Sequence, residues 1–215
     1  MNYKIKKEIL ELIKKLNLDC EVEDFAAKVN WDLVSYQDIS EDFIDYFNSK
    51  INWKIISSFV GLSEKFIEKY KDKVSWNYIS TKRLSEEFIK KHYERVNWDV
   101  IFLYGRYSED LVEFFFNFVS KNMDSYHYNL ALKRLSANVK FSDDFFDKHK
   151  DHFDWESVSM YREISIDFIK KYRDKIDIKS LIKNKKLIGS AKVKMNDYLK
   201  LDKQFREFFL NYLCS

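Results

Sequence analysis

The side chains most able to do chemistry cluster in one stretch, DDFFDKHKDHFDW, at residues 143–155. His149 and His152 stand three apart there, among Asp143, Asp144, Asp147 and Asp151. Two imidazoles at that spacing on a helix, with carboxylates beside them, are a pattern that can hold a divalent metal or move a proton. The rest of the chain offers little to complete such a site. Gly61, Gly105 and Gly189 are isolated and fit turns rather than a phosphate loop. No serine stands in a nucleophile-elbow context. Cys20 and Cys214 lie near opposite ends, carry no partner pattern for nucleophilic catalysis, and read as reduced thiols of an intracellular protein.

A repeat explains most of these residues differently. The phrase Val-Ser-Trp at Trp76 returns as Val-Asn-Trp at Trp98. Trp31, Trp53, Trp76 and Trp98 are spaced 22, 23 and 22 residues apart. Trp155 marks a further copy, and Met123 and Ile178 stand at the matching place in two weaker ones. About seven copies of a unit of about 23 residues therefore run through the chain, a period that marks stacked helical repeats. The absence of Pro and the presence of only 3 Gly in 215 residues favour helices over turn-rich strands.

Each copy reads as two short helices. Asn30, Asn52, Ser75, Asn97, Asn122, Asp154 and Asp177 precede the Trp place and are good N-caps. The apolar residue three later and a small residue four later (Ser35, Ser57, Ser80, Ser159) share its face, the small one letting neighbouring helices approach. The Trp itself is expected to supply a large share of each copy's buried interface. A second serine (Ser40, Ser63, Ser85, Ser108, Ser142 or Ser165) starts the second helix, with acidic residues in its first turn to suit the helix dipole. His149 then falls where other copies have Phe47, Tyr70, His92, Phe115 and Tyr172. His152 falls where they have Lys50, Lys73, Arg95 and Lys175. Both histidines, and His92, accordingly read as structural, and no catalytic, metal-binding or cofactor-binding residue is assigned.

These patterns predict an all-α fold, an α-solenoid of short helix pairs with non-repeat capping helices at both ends. The expected boundaries are a cap at 1–18, an array at 19–188 with an irregular insertion at about 123–141, and a second cap at 189–215. The phrase LSEKFIEKYKDKVSW, ending at Trp76, resembles degenerate helical repeats of proteins from bacteriophages and large DNA viruses. The resemblance covers about 20–188 and carries no site residues. It implies a viral accessory protein in the host cytoplasm, for example one that binds and inhibits a host defence complex such as CRISPR.

Three features exceed what stacking needs. The insertion offers Tyr126, His127, Tyr128, Lys133 and Arg134, and reads either as a binding surface or as a neutral bend. Tyr36, Phe59, Tyr104 and Tyr161 come late in first helices, at places where other copies have Lys82 or Asn184. They read either as a partner-binding ladder or as ridge packing. Residues 170–203 hold 12 Lys or Arg against 4 Asp or Glu, so Lys183, Lys185 and Lys186 lie in a basic end; residues 19–70 hold 11 acidic against 5 basic side chains. That end reads either as a contact for phosphates or as a solvated face. The net charge of +3 demands no nucleic acid. No apolar run reaches the length of a membrane span, and the start is no signal peptide. The expected function is non-enzymatic binding of a macromolecular partner, first a protein. The alternatives are nucleic-acid binding through the basic end and an enzyme with a site around His127 or His149.

Overall fold

The structure, a computed structural model, describes residues 1–184 and Lys186. Among the described residues it is helical throughout, with fifteen α-helices and no strand. The chain divides into two compact units, 1–97 and from Trp98 onward. The first unit holds α1 (Tyr3–Lys15), α2 (Phe25–Lys28), α3 (Trp31–Ser35), α4 (Glu41–Tyr46), α5 (Trp53–Phe59), α6 (Glu64–Lys69), α7 (Trp76–Ile79) and α8 (Glu86–Lys91). The second holds α9 (Trp98–Tyr104), α10 (Glu109–Phe114), α11 (Ser125–Asn138), α12 (Asp143–His149), α13 (Trp155–Tyr161), α14 (Ile166–Lys171) and α15 (Ile178–Ile182). The expected carboxyl-terminal cap and Lys185 lie outside the described residues.

Helices of one or two turns have little intrinsic stability, so caps and packing must hold them. Ser40, Ser63, Ser85, Ser108, Ser142 and Ser165 each accept the backbone N–H three residues on. Asn30, Asn52, Asp154 and Asp177 cap the first helices through their side-chain oxygens, whereas Ser75 makes no such bond. In the first unit α3 packs on α5 and α5 on α7; in the second α11 lies between α9 and α13, and α13 packs on α15.

The small serine of each first helix does more than make room. Ser35, Ser57 and Ser80 are buried, and each donates its hydroxyl to the carbonyl of the Trp four residues back, at 2.6–2.7 Å. Each also accepts the N–H of the next copy's cap, from Asn52, Ser75 and Asn97 at 2.8–2.9 Å. In the second unit Ser136 and Ser159 accept from Asp154 and Asp177 at 2.9 and 3.0 Å. A glutamate makes the matching bridge between second helices. Glu41 and Glu64 accept both the N–H and the hydroxyl of Ser63 and Ser85. In α1 Glu8 does the same to Ser40 at 2.7 Å, so the amino-terminal helix takes the place of a preceding second helix.

Two expectations need correction. Trp98 is buried, but Trp31, Trp53, Trp76 and Trp155 are only half-buried. Their indole N–H groups donate to carbonyls five residues back, at Ala26, Asn48, Lys71 and Lys150, so the ring pins the preceding loop as well as covering the core. The register of the weak copy also differs. Asn122 ends a 3-10 turn and Met123 follows it, while Asp124 caps α11. Ser136 makes the cap-accepting bond of the repeat, so the residue four before it, Leu132, holds the Trp place. The extra residues therefore precede Leu132. They form a π-helical turn at Phe115–Val119, which buries Phe115, Phe116 and Val119, and the first turns of α11.

Ser57→Ala should cost about 1–3 kcal/mol, because it strands the Ser75 N–H in the interior. Trp53→Ala should cost about 2 kcal/mol, below the about 3–5 kcal/mol of a fully buried aromatic truncation. Equilibrium urea unfolding reads both, and a Ser57→Ala protein as stable as wild type would remove the serine bridge from the account.

Candidate binding surface

The titratable residues divide into those that the repeat uses and those that it leaves over. His92 is 7% exposed, its ring 4.9 Å from Trp76 and 4.5 Å from Phe88, and its Nε2 lies 2.7 Å from Glu68. His149 repeats this geometry with Phe145 at 4.5 Å and Glu113 at 2.7 Å. Tyrosine serves at the same place elsewhere: Tyr70 donates to Asp45 at 2.5 Å and Tyr172 to Asp147 at 2.6 Å. A lysine one residue earlier pairs with the same carboxylate in each case, from Lys69, Lys91, Lys148 and Lys171. The carboxylate is thereby held below its usual range. Lys91 and then His92 lower Glu68 from 4.5 to about 2. Lysine hydrogen bonds likewise lower Asp45, Glu113 and Asp147.

His152 is exposed and stacks on Phe116 at 4.6 Å, which His149 also contacts at 5.0 Å. The two imidazoles share that ring rather than converging on a common point with carboxylates. Among the described residues no group of three His, Cys, Asp or Glu is placed to hold a metal ion. Arg162 is also structural. Its guanidinium donates to the carbonyls of Ser136 and Val139 at the end of α11 and lies over Phe141 and Phe146, and burial pushes it down to about 10.

The residues left over gather on α11. Tyr126, Leu130, Lys133, Arg134 and Ala137 recur at three- and four-residue spacing and so share one face, with His127 at its edge. Tyr126, His127, Lys133 and Arg134 are exposed. His127 Nδ1 lies 2.7 Å from the cap Asp124, which fixes its ring. Tyr128 departs from the expectation. It stands on the opposite face, half-buried, with its ring 6.0 Å from Phe115, and burial raises its hydroxyl's pKa. Between α11 and α13 a cavity of about 220 Å³ is lined by Leu130, Lys133, Arg134 and Ala137 on one side and by Glu156, Ser157, Met160 and Tyr161 on the other. It joins three residues singled out in the sequence, Lys133, Arg134 and Tyr161. Glu156, Leu130 and Met160 carried no signal of their own, because only packing of α11 on α13 brings them together.

The remaining aromatics are divided between the two units. Tyr36 and Phe59 meet edge to face at 4.9 Å in the first unit and stay 52% and 64% exposed. Tyr104, 69% exposed, and Tyr161 belong to the second unit. At the corresponding helix ends Lys82, Asn138 and Asn184 instead donate to carbonyls of the preceding copy, at Ser58, Phe102 and Ser159. Stacking thus uses a donor there, and the aromatics stand where none is supplied. Lys183 and Lys186 are exposed. Among the described residues no helix is long and apolar enough to cross a membrane.

The depressed Glu68 pKa makes a signed prediction. A carboxylate whose folded pKa lies below its unfolded value stabilises the fold above about pH 4.5, and that contribution is lost as pH falls towards 2. The stability difference between wild type and Glu68→Gln should therefore be largest at neutral pH and shrink steadily below pH 4.5. Urea midpoints across that range test it, and a difference that does not vary with pH would contradict it. Comparison with protein-family models, with curated proteins and with solved structures found no match to this chain.

Proposed function

We propose that this chain is a non-enzymatic binding protein whose helix pairs stack as a solenoid within each unit and whose partner is a protein engaged by the solvent face of α11. The observation that carries this reading is the convergence of Lys133, Arg134 and Tyr161 around one cavity, with Tyr126 exposed on the same face of α11, at the point where the repeat is interrupted. Insertions in repeat arrays commonly build the binding face. The residues best suited to acid–base work support it from the other side. His92 and His149 are buried against Glu68 and Glu113, and lysines bind the same carboxylates. Taken with the resemblance to viral repeat proteins, the proposed partner is a component of a host defence complex.

Affinity capture from native cell extract tests the proposal, with and without nuclease, on wild type, Tyr126→Ala/Tyr161→Ala and Tyr36→Ala/Phe59→Ala. A protein should be retained after nuclease, and the α11 variant should weaken its binding by more than about 1 kcal/mol while the first-unit variant does not. Recovery that vanishes with nuclease would move the function to nucleic acid through Lys183 and Lys186. Equal retention by all three proteins would contradict the α11 face.

A further inference from the structure

Resting on that reading, we infer that the groove between α11 and α13 takes an acidic peptide segment of the partner, with an apolar side chain seated in the cavity and carboxylates on Lys133 and Arg134. Charge complementarity carries the assignment. Three lysines in and just after the flanking helices α12 and α14 are committed: Lys148, Lys171 and Lys175 hold Glu113, Asp147 and Asp151. Lys133 and Arg134 stand side by side at the cavity mouth, and no carboxylate of the described residues pairs with either. A planar guanidinium beside an ammonium suits a carboxylate, the first binding it bidentately and the second as a point charge.

The cavity has room for one or two side chains rather than a cofactor, at about 220 Å³. Leu130, Ala137 and Met160 line it with apolar surface, and methionine adapts to irregular shapes. Tyr161, 53% exposed, stands at its edge as an anchor. Glu156 on the α13 wall repels phosphate and carboxylate alike, which leaves anions to the Lys133 and Arg134 side. As an acceptor it suits the backbone N–H groups of an extended peptide, which a phosphate backbone does not offer.

Selection of a displayed library of random dodecapeptides on the full chain tests this. Wild type should enrich sequences with Asp or Glu flanking a Leu, Met or aromatic residue. A fluorescent peptide of the enriched sequence should bind Lys133→Glu/Arg134→Glu at least about tenfold more weakly. Both substitutions are exposed, and an unchanged thermal melt by circular dichroism shows that the variant is folded. Glu156→Lys should spare or tighten the carboxylate contacts and, in parallel, raise affinity for a fluorescent oligo-dT. Enriched peptides without acidic residues, or acidic ones that bind the double variant normally, would overturn the groove assignment and leave the protein-binding reading standing. Wild-type binding of oligo-dT in preference to every enriched peptide would overturn both.

Discussion

A buried serine hydroxyl in five of the seven first helices, at Ser35, Ser57, Ser80, Ser136 and Ser159, is the constraint on which the repeat depends. It donates inward to the carbonyl of its own helix and accepts the cap N–H of the next copy. Both groups are withdrawn from water, so a residue without a hydroxyl there leaves them unmatched in the interior. A larger residue would also separate the helices. Phe102 shows the alternative. It fills the serine place in α9, buried against Trp98 and Phe115, and the segment that follows is where the repeat is interrupted.

From that bridge the remaining polar contacts follow in layers. The serine sets the spacing of first helices, and a glutamate on the cap serine sets that of second helices. A carboxylate shared by a lysine and a tyrosine or histidine closes the next turn. These contacts are partly exposed, so each contributes little alone. Their effect is to fix register, because each donor meets its acceptor only when copies align. The same alignment consumes His92, His149 and the carboxylates they meet, and it does not use the solvent face of α11, the proposed partner surface.

Helix type, cap positions and period were legible because the signals are local. A cap serine acts on an N–H three residues away, and the apolar positions recur at helical spacing. The bridges between copies were not, since their partners lie 17–36 residues apart and the acidic first turns already had a sufficient explanation in the helix dipole. Asn122 and Met123 imitate the cap-and-apolar phrase, yet the true counterpart of Trp is Leu132, betrayed only by Ser136. Of the insertion residues, Tyr126, His127, Lys133 and Arg134 are exposed and Tyr128 is half-buried, a division that the sequence does not give because the face of a helix is unknown until its register is.

The shift of register also explains an orphan. Asp32 and Asn77 accept from the next copy's cap asparagine, at Asn52 and Asn97. Asp99 holds the same place in α9, but Asn122 does not cap α11, and Asp99 Oδ1 is buried with no partner among the described residues. The claim that serine bridges hold the copies together is tested most directly by hydrogen exchange of single backbone amides. Cap N–H groups of short helices ordinarily exchange fast, being among the donors that a helix leaves unpaired. The account predicts that the amides of Asn52, Ser75, Asp154 and Asp177 exchange as slowly as those of the buried helix interiors. Exchange at the rate of an open loop at these four positions would contradict it.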